Sequence, residues 1–267
     1  MSLLSWFSLA YRKGPCASAV LVGLGLMFAG SSAWGQKELR VAAAADLQPV
    51  MPELSQAYEH ATGVKLVVSF GSSSTLATQI IDGAPMDIFL GADFTYPEKI
   101  VAAGLADGGA PTAYAKGTLV LWARKDSGLL PLSMERLVDP RVKTIAIANE
   151  LHAPYGFAAA SALRKMKLYD KVSSHLVVGE NIAQTAQFVE SGNAQLGLIS
   201  LTAASTEHFK QIGEYVLVPF SQYPEIRQCA VVMKNSDRRA DAHAFLDWVL
   251  SPAVQQNWPK LGLRAVK

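Results

Sequence analysis

Cysteine is almost missing from this chain of 267 residues: Cys16 and Cys229 are the two it has. Charge of one sign is missing as well. The 24 Lys and Arg stand against 22 Asp and Glu, with no run of like charges. That excludes the basic patch a protein uses to grip nucleic acid. No apolar run reaches the roughly 20 residues that cross a bilayer. There is no G-x-S-x-G elbow, no G-x-x-x-x-G-K-[ST] loop and no H-E-x-x-H, so the familiar hydrolase, phosphate-loop and zinc-protease signatures are excluded. The five histidines (His60, His152, His175, His208, His243) are isolated, without a second ligand at metal spacing. What is present is a globular composition, 50% hydrophobic and 17% charged, without repeats or low-complexity segments.

The N-terminus reads as a targeting segment. Arg12 and Lys13 precede an apolar run over 17–30, and small residues follow up to Gly35 and Gln36. A basic start, a short apolar core and a small-residue end describe a secretory signal peptide over residues 1–35, cut near Gly35. Cys16 precedes the apolar core, which is the wrong place for lipid attachment. Removal of Arg12 and Lys13 leaves 22 bases against 22 acids. The mature chain then keeps only Cys229, so an exported protein here has no internal disulfide.

Downstream, apolar runs alternate with amphipathic stretches. Strands are predicted over 39–44, 64–70 and 87–90, with helices over 48–62 and 74–81 between them. A second set follows: strands at 118–123, 144–148, 176–178, 196–200, 215–218 and 230–233, and helices at 157–166, 183–190 and 240–250. This order implies an α/β protein of two lobes, each a mostly parallel sheet flanked by helices, with a ligand cleft between them. Ligands in such sheets bind beyond the carboxyl ends of strands, where helices begin.

The helix starts carry the chemical signal. Phe70-Gly71-Ser72-Ser73-Ser74-Thr75 follows a strand and opens a helix, joining a glycine, hydroxyls and unpaired backbone N–H groups at the positive end of a helix. Such a turn is an anion site, or simply an N-cap with spare serines. Ala153-Pro154-Tyr155-Gly156 and Gly179-Glu180-Asn181-Ile182 lie in equivalent positions, as does Ala45-Asp46-Leu47 after the first strand. None of these turns contains Lys or Arg. Neutral donors suit a small, fully ionised oxyanion.

These pieces, with Gly83-Ala84-Pro85-Met86-Asp87-Ile88-Phe89, Ala92-Asp93 and Leu196-Gly197-Leu198, resemble the periplasmic molybdate-binding proteins of ABC transporters. The likeness runs from about Leu39 to the end. It implies the type II periplasmic-binding-protein fold, with residues 36–117 and 224–267 in one lobe, 118–223 in the other, and hinges near 116–118 and 223–228. It also implies ligand contacts at Asp46, Ser73, Tyr155 and Ile182, the last through its backbone N–H. Weaker candidates are Ala45, Ser72 and Ser200, the last standing where some relatives have a ligand-binding Tyr. Asp46 departs from the pattern, because relatives place Ser or Asn there and a carboxylate beside a dianion repels it.

The function so implied is capture of molybdate or tungstate by a monomeric periplasmic protein that delivers it to an ABC permease in the inner membrane. The molybdenum would be held as its oxyanion, with no direct metal-ion ligands, no cofactor and no enzymatic activity. Another oxyanion or a small organic acid is the alternative ligand. An enzyme on a binding-protein scaffold is the remaining reading.

Overall fold

The computed structural model describes residues 37–266, so the expected signal peptide at 1–35 lies outside the described residues. Ten strands run in the order β1 Lys37–Ala44, β2 Val64–Gly71, β3 Ile88–Gly91, β4 Thr112–Lys116, β5 Leu119–Arg124, β6 Ile145–Ala148, β7 Leu176–Gly179, β8 Leu196–Ser200, β9 Gly213–Leu217 and β10 Arg227–Val232. The helices are α1 Met51–Thr62, α2 Ser73–Ile81, α3 Thr95–Ala102, α4 Pro154–Lys165, α5 Tyr169–Val172, α6 Ile182–Glu190, α7 Leu201–Ala204, α8 Glu207–Ile212, α9 Arg239–Leu250 and α10 Pro252–Gln255.

The strands form two separate five-stranded sheets, β2-β1-β3-β10-β4 and β7-β6-β8-β5-β9. The chain is therefore two-lobed. In each sheet four strands point one way and one opposes them: β10 pairs antiparallel with β3 and β4, and β5 with β8 and β9. The sheets are thus mixed in their pairing. The opposing strands are those that receive the chain from the other lobe. Such a strand enters its sheet from the cleft end, and so runs against strands that end there.

Side-chain alternation buries both faces of each sheet. In β1, Leu39, Val41 and Ala43 join a core with Tyr58 of α1 and Phe245 of α9, whereas Ala42 turns to Leu76 and Ile80 of α2 and Ile100 of α3. In β5, Leu119 and Leu121 pack on Ala158 and Ala162 of α4, whereas Val120 and Trp122 meet Val189 of α6 and Phe209 of α8. Period-two alternation with apolar residues on both faces is what helices on both sides require.

Helix α1 starts later than predicted, at Met51, whereas α2, α4 and α6 start earlier than the periodicity predicts, and this matters for the site. Helix α2 opens at Ser73 because the Ser72 hydroxyl oxygen caps it, accepting from the Thr75 N–H at 3.1 Å. Helix α4 opens at Pro154, since proline suits the first helical position, and this draws Tyr155 into the first turn. Helix α3, strand β4 and the short helices α5, α7, α8 and α10 lie outside the predicted elements. The first has only Pro97 and Ile100 buried, too few for a helical stripe. The second is a short edge strand with two buried residues, Tyr114 and Ala115. No helix among the described residues is long and apolar enough to cross a membrane.

Candidate functional site

Four strand-to-helix turns converge between the sheets. They are β1 into the short 3-10 turn Ala45–Leu47, β2 into α2, β6 toward α4, and β7 into α6. They meet at a small cavity lined by Ala45, Asp46, Ser72 and Ser73 from one lobe and Tyr155 and Ile182 from the other. It is far smaller than the roughly 300–1,000 Å³ of sites for drug-sized molecules. The structure therefore brings together six of the seven residues singled out from the sequence. Ser200 is not among them and lines a neighbouring cavity with Ala45 and Ile182. It caps α7, its oxygen accepting from the Ala203 N–H at 3.4 Å, and its hydroxyl lies 2.8 Å from that of Thr202.

The caps decide which backbone donors are left over. In α2 the Thr75 N–H goes to the Ser72 hydroxyl oxygen, and the Ser74 N–H reaches across the cleft to the carbonyl of His152 at 3.3 Å. In α6 the Asn181 side chain accepts from both Ala183 and Gln184 N–H groups at 3.0 Å. The first N–H of each helix, on Ser73 and on Ile182, has no partner within its helix. Both belong to residues that line the cavity, at the positive ends of nine-residue helices. The Ser73 hydroxyl oxygen accepts from the Ala92 N–H at 3.0 Å, which leaves its proton to donate. No Lys or Arg is among the lining residues.

Asp46 lies at the centre of a buried network that joins the lobes. Its Oδ2 accepts from the Tyr155 hydroxyl at 3.1 Å and from Nε2 of Gln228. Its Oδ1 is buried without a partner. Its backbone carbonyl accepts from the Thr202 hydroxyl at 2.7 Å. Burial pushes the Asp46 carboxyl up to about 7, and the bonds from Gln228 and Tyr155 offset that only in part. The Tyr155 hydroxyl, expected to face a ligand, instead donates to this carboxyl.

Gln228 and Thr202 were missed. Gln228 is wholly buried and opens the apolar run of β10, and a polar residue at an inward strand position was the available signal. Thr202 gave none, because a threonine at a helix start is ordinary capping chemistry. Cys229 is buried and unpaired, as its strand pattern predicts. No cluster of three or more potential metal ligands occurs among the described residues.

Comparison with known proteins agrees with this architecture. The molybdate-binding protein ModA of Azotobacter vinelandii is 36% identical over 237 residues, covering 89% of this chain and 92% of its own. That of Rhodobacter capsulatus is 33% identical, covering 96% of this chain and 97% of its own. The solved structure of the Azotobacter vinelandii periplasmic molybdate-binding protein superposes with a TM-score of 0.81 at 31% identity, covering 86% of this chain and all of that one. The profile of the bacterial extracellular solute-binding protein family matches residues 39–264. The chain therefore belongs to the bacterial extracellular solute-binding protein family, together with these molybdate-binding relatives.

Proposed function

We propose that this protein captures molybdate or tungstate outside the cytoplasm and hands it, as a monomer, to an ABC-type permease in the inner membrane. The observation that carries the reading is the pair of first-turn amides, Ser73 from one lobe and Ile182 from the other, on one small cavity without Lys or Arg. Two helix N-termini supply partial positive charge with directed N–H donors, which is how a fully ionised oxyanion is held without a counter-cation. The Ser73 hydroxyl adds a further donor. Charge-assisted bonds of this kind contribute roughly 1.5–3 kcal/mol each.

A cage assembled from two lobes discriminates by size, because molybdate, tungstate and sulfate share charge and shape. The crossings between the sheets, at 117–118 and 218–226, are the hinges about which the lobes open. The N-terminal segment 1–35 is the export signal. Support for a binding protein rather than an enzyme comes from the relatives, which are named as molybdate-binding proteins.

Calorimetric titration of the purified mature protein with molybdate, tungstate, sulfate and phosphate tests the proposal. Molybdate and tungstate should bind far more tightly than sulfate or phosphate. Equal or absent binding of all four would remove the oxyanion reading.

A further inference from the structure

We propose that Asp46 is a proton-carrying ligand group, so that the site takes up one proton together with one tetrahedral dianion. The inference rests on the oxyanion reading above and adds to it the protonation state in which the site is competent.

The geometry is asymmetric about the carboxyl. Oδ2 is occupied twice, by the Tyr155 hydroxyl from α4 and by the Gln228 amide from β10. Both are donors, so Oδ2 is held as an acceptor. Oδ1 is buried, has no partner, and belongs to a residue that lines the anion cavity. Gln228 and Tyr155 thus act as positioning residues that fix Oδ2 and leave the second oxygen without a protein partner. The Asp46 carbonyl, tied to Thr202 of the other lobe, holds the turn itself in place.

The two protonation states then differ in sign. An ionised Oδ1 would set a third negative charge against a dianion in a dry site, where charges are poorly screened. No cation lies on the cavity to relieve it. With a proton on Oδ1, the same oxygen becomes an O–H donor, which converts repulsion into a charge-assisted bond. The groups facing Asp46 are neutral: the Gln228 amide from β10, and the phenols of Tyr155 from α4 and Tyr114 from β4, both raised well above 10 by burial and by Asp46 itself. Asp93 acts on Tyr114 and is not among the groups that shift Asp46. Asp46 is therefore the group here that titrates near neutrality, and burial holds its proton up to about 7. Below that range the proton is already in place. Above it, each anion bound draws one proton from solvent onto Oδ1.

The test is calorimetry of the mature protein with sodium molybdate between pH 6 and 8.5, in buffer pairs of different ionisation heat that count protons. Expected is a dissociation constant that weakens toward about tenfold per pH unit above about 7, with uptake approaching one proton. Asp46→Asn offers an amide donor that needs no proton, so its affinity should be independent of pH, without uptake, and tighter than the parent at pH 8.5. A parent protein that binds molybdate with constant affinity and no uptake would overturn the proposal while leaving the oxyanion reading intact. A parent that binds none of the oxyanions at any pH would overturn that reading instead. An Asp46→Asn protein that is folded by its melting transition yet keeps the parent's pH slope would assign the proton elsewhere. If that variant does not fold, the proton count on the parent still decides.

Discussion

Gly117 holds the space into which the Tyr155 hydroxyl fits. A Cβ at Gly117 would meet that hydroxyl first, with the ring Cζ and Ile226 Cγ2 each at 2.9 Å. Gly117 lies on the crossing between the sheets, where its N–H donates to the Ile226 carbonyl at 2.8 Å. Tyr155 in turn donates to Asp46. A glycine on the crossing thus sets where a buried hydroxyl of the cleft can sit. Gly117→Ala should force Tyr155 out of its place. The expected cost is about 1–3 kcal/mol in chemical denaturation, together with weaker molybdate binding by calorimetry. A variant equal to the parent in both would show that the ring has room to move.

Ser73 and Ser72 should separate binding from stability. Ser73→Ala removes a donor to the anion, a loss of about 10- to 150-fold in affinity. It also leaves the buried Ala92 N–H without its acceptor, at about 1–3 kcal/mol of stability. Ser72→Ala removes the α2 cap, worth roughly 0.5–2 kcal/mol, while the ligand donors stay. Calorimetry and denaturation on both variants check the contrast. Tight oxyanion binding by Ser73→Ala would mean the site is placed wrongly.

The ligand-free protein should lose stability as pH rises toward neutrality. In the folded state burial holds the Asp46 proton up to about 7 and the Asp93 proton up to about 6, whereas an unfolded chain releases both near 4. Between those values the folded state binds the extra protons, so stability is greatest on the acid side and falls through about 6 and 7. Asp87 has the opposite sign. Burial raises its carboxyl, but the bonds from Arg40 and Ser236 outweigh that and hold it below its ordinary range, so its contribution is lost only at lower pH. Melting temperatures at pH 5 and pH 8 test this. Asp46→Asn should gain at pH 8 relative to pH 5 by a few kcal/mol, and an unchanged slope would remove Asp46 as the cause.

Closure should be visible at the cleft edge. The Tyr96 hydroxyl donates to the Leu151 carbonyl at 2.8 Å, joining the lobes beside the Ser74 to His152 bond. Small-angle scattering should show compaction when molybdate is added. Tyr96→Phe should still compact but bind about 2- to 12-fold more weakly, the worth of one neutral hydrogen bond. A radius unchanged at saturation in the parent would count against hinge closure.

Local signals survive in the sequence where few residues decide the outcome. Short apolar runs over 39–44 and 118–123 mark β1 and β5, and the glycine after residue 62 stops α1 in the left-handed conformation with φ 72°. Such patterns need only neighbours three or four positions away. Helix α3 and strand β4 left weaker traces, because each buries two residues and its burial depends on what packs over it.

By itself, then, the sequence determined where the helices begin, because Ser72 and Asn181 cap their own first turns within three residues. It thereby determined which amides, those of Ser73 and Ile182, would be left without a partner in their helices. The state of Asp46 was decided by tertiary structure alone. Its partners Tyr155 and Gln228 stand 109 and 182 residues away in sequence. A carboxyl's proton affinity depends on burial and on the donors that reach it, and no spacing along the chain encodes either.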